Sequence, residues 1–181
     1  MALKDSGDRF GGISIVNHWT MAILVVGMLA FGLYIEDLRW TEETRYLLQL
    51  HKSVGILVLV LAVWRILWRM YCGFPDAAGP MKAWESFLAR AVHYALLVGV
   101  LIMSISGYVR SAAGGHPVDF FGLFSLPGLS ENKALSSAAA EVHEVAGTLL
   151  IVLIALHVLA AMEHHFIDRD GTLRRMIGKA G

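Results

Sequence analysis

The sequence predicts an all-α integral membrane protein, a bundle of four spanning helices in a single domain. Hydrophobic residues make up 56% of the 181 residues. Charged residues make up only 17%, whereas a soluble domain has about 25%. The charged residues are also concentrated outside four long apolar runs. Because four helices of about 20 residues with short connections fit this length, we expect residues 1–181 to form one transmembrane domain.

Each apolar run is long enough to cross the hydrocarbon layer. The first, residues 11–35, contains no charged residue among its twenty-five. The second carries Lys52 and Arg65 toward its ends, where long side chains can reach the headgroups. The third and fourth are free of charge over nineteen and eighteen residues. With their flanking residues, the four runs predict helices over about 11–35, 46–71, 87–110 and 138–166.

The connections between the runs are rich in Gly and Pro, which predicts loops at 73–80 and 114–137. Within the longer loop, residues 119–129 (DFFGLFSLPGL) predict a short interfacial helix with its aromatic side chains at the membrane surface. The first apolar run exceeds the roughly 7–15 residues of a signal-peptide core and lacks a cleavage pattern. We therefore expect it to be retained as a helix.

The cations are divided unequally between the two sides of the predicted bundle. Ten of the fifteen Lys and Arg fall on the side of both termini and five on the other side, so the positive-inside rule predicts cytoplasmic termini.

The net charge of zero argues against a nucleic-acid partner, which needs many uncompensated cations. One cysteine, Cys72, excludes an internal disulfide.

Four of the eight histidines are predicted to lie inside the spans at matched depths. His143 and His157 share the last helix and are fourteen residues apart, which places them on one face roughly 21 Å apart along the axis. His18 lies near the inner start of the first helix, and His51 near the outer start of the second. The topology therefore pairs His18 with His157 on the inner side. It pairs His51 with His143 on the outer side.

Paired imidazoles on facing helices suit a six-coordinate iron, and axial histidines commonly hold haem in a bundle core. A zinc site requires about four close ligands, more than the two histidines present at either level. At the outer level Gly55 follows His51, and Gly147 follows His143, by four residues, so each glycine can open a flat slot beside its ring. The pattern predicts two haems. A haem-free alternative is a small transporter that uses the histidines as a proton relay.

The segments that carry these histidines resemble the bacterial cytochrome b561 family, most closely its short members that include superoxide oxidase. The resemblance covers nearly the whole chain, through ISIVNHW, HKSVGILVLVLAVWRILWR, EVHEVAG, LIALHVLAAMEHHF and RDGTLRRM. It implies a cytochrome b561-type domain in a bacterial inner membrane, with two haem b groups held by the four paired histidines. It also implies electron exchange with ubiquinone.

Two functions follow from this resemblance. In the superoxide-oxidising type, the protein is an enzyme that takes electrons from superoxide at the outer face and passes them to ubiquinone. Larger relatives instead serve as haem-binding membrane anchors that transfer electrons for a soluble dehydrogenase or hydrogenase. The lipid bilayer is an expected partner in both cases, and the sequence identifies no protein partner.

Further candidate residues lie at the inner level. His164 follows His157 by seven residues, which continues the same helical face toward the inner surface. The resemblance implies that His164 contacts quinone, and an imidazole there could supply a proton for its reduction. The alternative is a solvated interfacial side chain or a partner of a haem propionate. His93 is a candidate for a quinone or haem-propionate contact, or for a bond to a neighbouring helix. Arg65 is expected to meet a propionate or an anionic lipid headgroup.

At the outer level the candidates are cations. Lys52 directly follows His51, and Arg110 ends the third predicted helix. Either could hold a haem propionate or attract superoxide, and the alternative is a solvated side chain. No catalytic residue is predicted at this level, because the electrons would pass through the haems and oxidation of superoxide releases no proton.

Overall fold

The structure is a computed structural model that describes residues 2–7, 9–75, 78–79 and 81–178. Four helices in it are long and apolar enough to cross a membrane, which confirms the predicted all-α membrane fold. A short helix, α5 (Thr172–Met176), follows them. The four long helices are α1 (Gly12–Glu36), α2 (Glu42–Cys72), α3 (Ala83–Ala113) and α4 (Lys133–Phe166).

Three of the long helices begin four or five residues before their predicted starts, because polar caps extend them beyond the apolar runs. The hydroxyl of Thr41 accepts a hydrogen bond from the amide of Thr44 at 3.2 Å. The side chain of Asn132 accepts one from the amide N–H three residues on, at 3.0 Å. The Glu85 carboxylate accepts one from the amide of Lys82 at 2.8 Å. Each cap satisfies a backbone donor that would otherwise lack a partner.

The helices pack in chain order, α1 against α2, α2 against α3, and α3 most extensively against α4. A cluster of buried aliphatic residues lies at the middle of the bundle. Leu150 is its α4 member and lies seven residues from both His143 and His157, so the cluster separates the two predicted histidine levels. The members of the cluster are Met21, Val25, Val58, Ala62, Val100 and Leu150.

The predicted interfacial helix at 119–129 is wrong, because this segment contains a β-hairpin. Strands β1 (Val118–Phe120) and β2 (Phe124–Leu126) pair antiparallel. The turn places Phe121 and Gly122 at φ +53° and +73°, a left-handed conformation that glycine adopts without strain and that a helix excludes. The hairpin is fixed to α2, where the hydroxyl of Ser53 donates to the carbonyl of Asp119 at 2.6 Å.

The opposite end of the bundle holds residues 2–7 and helix α5, and we call it the terminal end; the other we call the hairpin end. At the terminal end Asp5 accepts hydrogen bonds from the amide of Gly11 at 2.7 Å and from the hydroxyl of Ser14 at 2.9 Å. Asp5 also forms an ion pair with Arg69 of α2, and the two side chains are only 3% and 7% exposed. The N-terminal segment therefore closes this end of the bundle. Residues 76, 77 and 80 of the predicted 73–80 loop, and the cation Lys179, lie outside the described residues.

Candidate functional site: two pairs of imidazoles

The structure brings the four predicted ligands together as two pairs. At the terminal end, the ring centroids of His18 and His157 are 6.3 Å apart. At the hairpin end, those of His51 and His143 are 6.4 Å apart. Because metal–imidazole bonds are about 2.0–2.1 Å long, two rings bound in line to one metal have centroids roughly 6 Å apart. Both separations fit two imidazoles that would hold one iron.

His143 is oriented for metal binding by the neighbouring helix α3. Its Nδ1–H donates to the carbonyl oxygen of Met103 at 2.8 Å, because a carbonyl can only accept. This bond fixes the tautomer and leaves the Nε2 lone pair available to a metal. His143 therefore has the outer hydrogen bond that haem-ligating and metal-ligating histidines usually make.

His51 has a buried nitrogen without a hydrogen-bond partner. Among the described residues, Nδ1 of His51 is the buried side-chain nitrogen or oxygen without a hydrogen-bond partner. The His51 ring packs against Phe31 with a centroid distance of 5.7 Å. Buried polar atoms nearly always have a partner. An unpaired imidazole nitrogen beside a second imidazole fits a site that takes a metal-containing cofactor.

Two glycines on other helices make room for the imidazoles of the hairpin-end pair. A Cβ atom at Gly107 of α3 would lie 2.9 Å from Cε1 of His143, and one at Gly32 of α1 would lie 3.3 Å from Cε1 of His51. Neither glycine was predicted, because each lies on a different helix from its histidine and not one turn away on the same helix. The available signal was a glycine at the same predicted depth on a neighbouring helix.

The two predicted slot glycines have different neighbours. A Cβ atom at Gly55 would meet only the methyl group of Met28, at 3.9 Å, and one at Gly147 would meet the methyl group of Met103 at 3.3 Å. Neither glycine contacts an imidazole in the structure. Each has a flexible methionine as its neighbour, so the slot role stays a prediction.

The terminal-end pair has a guanidinium beside it. Arg65 donates to Nδ1 of His18 at 2.9 Å and to the side-chain oxygen of Asn17 at 3.0 Å. The described residues offer Arg65 no carboxylate. A haem propionate would supply one, and by taking up the guanidinium it would free Nδ1 of His18 to donate a hydrogen bond, as metal-ligating histidines commonly do.

His93 joins the terminal-end pair from α3. Its ring lies 5.2 Å from that of His157 and stacks on Phe74 at 5.7 Å. The distance to His157 is shorter than the roughly 6 Å of two rings bound in line to one metal. His93 therefore packs beside His157, and its role in binding quinone or propionate stays a prediction.

His164 lies at the terminal end of α4 and contacts two carboxylates. Its Nδ1 is 2.7 Å from Asp170 and 3.3 Å from Asp168. Partial burial opposes ionisation of Asp170, but hydrogen bonds from Thr172 and His164 outweigh it and lower the pKa of this carboxyl below its ordinary 3.8. Asp170 was not predicted, because the residue lies on the loop after α4, where helical periodicity carries no information.

Lys52 and Arg110 both lie near the hairpin-end pair. Arg110 is close enough to Lys52, His51 and His143 to act on each electrostatically. Within the described part of the chain neither cation forms an ion pair. The hairpin-end pair is therefore flanked by uncompensated positive charge, which suits an anionic group.

Comparison with known proteins decides the family. The family described as prokaryotic cytochrome b561 has a model that matches residues 9–179. The chain belongs to this family. It is 37% identical over 182 residues to cytochrome b561 homolog 2 of Escherichia coli (strain K12), covering 99% of this chain and 97% of that protein. It is also similar to cytochrome b561 homolog 1 of the same organism, at 28% identity over 94% of this chain and 97% of the relative.

A further relative is a probable superoxide oxidase of Yersinia pestis, 25% identical over 94% of this chain and 97% of that protein.

Membership in the cytochrome b561 family makes the chain a multi-pass electron-transfer protein of a bacterial membrane and implies haem b. The haem-free transporter therefore no longer fits. Haem supplies an iron that takes up and releases one electron, while the protein supplies the ligands, their spacing and a water-excluding surround.

Proposed function

We propose that this cytochrome b561 is a conduit with two haems that carries electrons from a donor at the hairpin end to ubiquinone at the terminal end. His18 and His157 would hold the inner haem, and His51 and His143 the outer haem. The observation that carries the proposal is the presence of two imidazole pairs, 6.3 Å and 6.4 Å apart, at opposite ends of one bundle.

The aliphatic cluster at the middle of the bundle sets the separation of the two sites. The levels of His143 and His157 are roughly 21 Å apart along α4, and Leu150 is fully packed between them at 1% exposure. This layer excludes water from the space between the haems. Electrons can cross it, whereas ions and protons have no polar group to follow.

Superoxide is the proposed donor. Its charge matches the uncompensated cations Lys52 and Arg110 beside the hairpin-end pair, which would raise the local concentration of a small anion. Oxidation of superoxide to dioxygen releases one electron and no proton, so this end needs no protein acid or base. The relative named as a probable superoxide oxidase supports this choice of donor.

Ubiquinone is the proposed acceptor, close to His164. Reduction of a quinone to a quinol takes two electrons and two protons, so the acceptor site needs a proton source as well as a nearby haem. His164 lies two turns beyond His157 on the same helix, and His93 packs against His157 from α3. Both imidazoles are thus placed at the terminal end, where the quinone would be reduced.

The first experiment is an absorption spectrum of the detergent-purified protein with a haem assay per chain. We expect low-spin b-type bands and two haems per chain. One haem per chain would contradict the conduit, and a colourless preparation would contradict haem binding altogether.

The second experiment tests the donor. Pulses of superoxide, given with a short-chain ubiquinone present, should reduce the haems transiently and form quinol. If the haems stay oxidised while a soluble dehydrogenase or hydrogenase co-purifies and reduces them, the chain is instead a haem-binding membrane anchor for that enzyme.

A further inference from the structure

His164 and two carboxylates form a cluster just beyond the spanning part of α4. Both carboxylates contact the same ring atom, Nδ1, with Asp170 at 2.7 Å and Asp168 at 3.3 Å. The side chains differ in accessibility: Asp168 is 51% exposed, His164 24% and Asp170 15%. The cluster therefore runs from a solvated carboxylate to a largely buried pair.

The buried pair is held in place from both sides. The second oxygen of Asp170 accepts a hydrogen bond from the amide of Thr172 at 2.8 Å. The backbone amide of Asp170 donates to the carbonyl of His164 at 3.1 Å. The Asp170 carboxylate is thus fixed against the imidazole without depending on the imidazole alone.

This arrangement places a proton on one nitrogen of His164. An ionised carboxylate only accepts hydrogen bonds, so Nδ1 carries the proton that Asp170 and Asp168 share. Among the described residues Nε2 makes no hydrogen bond. The two ring nitrogens therefore have separate surroundings, one facing carboxylates and the other available to a ligand.

We propose that Asp168, Asp170 and His164 form the proton-delivery path to the quinone site, in which the imidazolium of His164 gives the proton on Nε2 to the quinone and keeps the proton on Nδ1. The path rests on the proposed function. For each quinone, two electrons arrive through the haems and two protons arrive through His164, and two O–H bonds form to give the quinol. After each transfer a proton from solvent restores Nε2–H, and the carboxylates of Asp168 and Asp170 balance the charge of the imidazolium. Asp170 is a positioning residue that keeps the proton on Nδ1.

The position of His164 lets electrons and protons converge. It follows the proposed haem ligand His157 by seven residues, roughly 10 Å along the helix axis and on the same face. The acceptor would therefore meet its electron source and its proton source on one side of α4. Since the carboxylates lie beyond the last turn of α4, they connect this face to water at the terminal end.

The test compares Asp170→Asn, Asp168→Asn and His164→Gln in the haem-loaded protein, with the haems reduced beforehand under anaerobic conditions. Reoxidation by a short-chain ubiquinone should slow at least about 10-fold in Asp170→Asn and His164→Gln, because general acid catalysis is commonly worth 10²–10⁴. The quinone KM should change little in Asp170→Asn, and Asp168→Asn should slow reoxidation less. The matched control is Glu163→Gln, which removes one carboxylate from the same end of α4 and should behave as wild type.

Ferricyanide, which accepts an electron without a proton, separates proton delivery from structural damage. Its reduction should be equally fast in all variants. Equal slowing with ferricyanide and quinone would overturn the proton path, and so would normal quinone kinetics in all three variants. Failure of quinone to reoxidise wild-type haems would instead refute the proposed function itself.

Imidazole ¹⁵N chemical shifts provide a readout that needs no quinone. We expect a protonated Nδ1 on His164 in the wild-type protein and loss of this preference in Asp170→Asn, with Glu163→Gln unchanged. An unprotonated Nδ1 in wild type would overturn the role of Asp170. A His164 signal that shifts on addition of a chelator would assign the cluster to a bound cation and would also overturn it.

Discussion

Gly107 leaves room for His143 where α3 passes closest to the ring. An added Cβ would lie 2.9 Å from Cε1 and 3.0 Å from Nδ1 of His143, so the ring would have to turn away from its position. We expect Gly107→Ala to lower the occupancy of the haem proposed at the hairpin end, measured as haem per chain after purification. Gly27→Ala is the control, because its Cβ meets nothing within 4 Å; equal haem losses in both variants would contradict the steric explanation.

His51 and His143 should act independently of the terminal-end pair. The aliphatic cluster around Leu150 lies between the two levels, so loss of one proposed haem would remove no contact from the other. We expect His51→Ala to retain one low-spin haem per chain, seen by absorption and electron paramagnetic resonance. His116→Ala, in the exposed loop, should retain both. Loss of both haems from His51→Ala would argue against separate sites.

The four paired histidines were predictable because an imidazole in hydrocarbon must find a partner, and helix periodicity fixes its depth. Gly32, Gly107 and Asp170 were not predictable in the same way. Each acts on a histidine from another helix or loop, so its role depends on interhelical distances that the local pattern does not contain.

The N-terminal segment is a separate structural element that depends on one buried ion pair. Asp5 and Arg69 are 3% and 7% exposed, so removing one charge leaves the other buried and unpaired. We expect Asp5→Asn to cost about 3–5 kcal/mol of stability, measured as a lower midpoint of thermal unfolding in detergent.

The control for this element is Glu42→Gln, which breaks an exposed ion pair with Arg45 at 3.1 Å. Pairs of this kind contribute roughly 0–1 kcal/mol, so the midpoint should barely move. Equal shifts in the two variants would mean that the N-terminal segment does not depend on burial of the Asp5–Arg69 pair.

The hairpin is the element that the sequence analysis misassigned. Its aromatic residues were consistent with an amphipathic helix, and one glycine did not decide against that interpretation. The chain turns at Phe121 and Gly122 because Ser53 of α2 holds the Asp119 carbonyl and the Asp119 carboxylate accepts from the amide of Gly122 at 2.7 Å. A tertiary contact thus selects the turn.

For the whole molecule, the excess of Lys and Arg at the terminal end predicts its orientation. A green fluorescent protein fused to the C-terminus should fluoresce, since it folds in the cytoplasm, and an alkaline phosphatase fused there should be inactive. A phosphatase inserted in the loop 127–132 should be active. The reverse pattern would place the proposed superoxide end in the cytoplasm and would contradict the direction of electron flow.

The sequence by itself determined the number of spans, the depth of each histidine and which histidines share a level, because hydropathy and the 3.6-residue period act along one helix at a time. Only the tertiary structure decided how closely the rings approach, which glycines make room for them, that His93 joins the terminal-end pair, and that Asp170 holds His164. These features depend on the distances and rotations between helices, which are set by side-chain packing across the bundle.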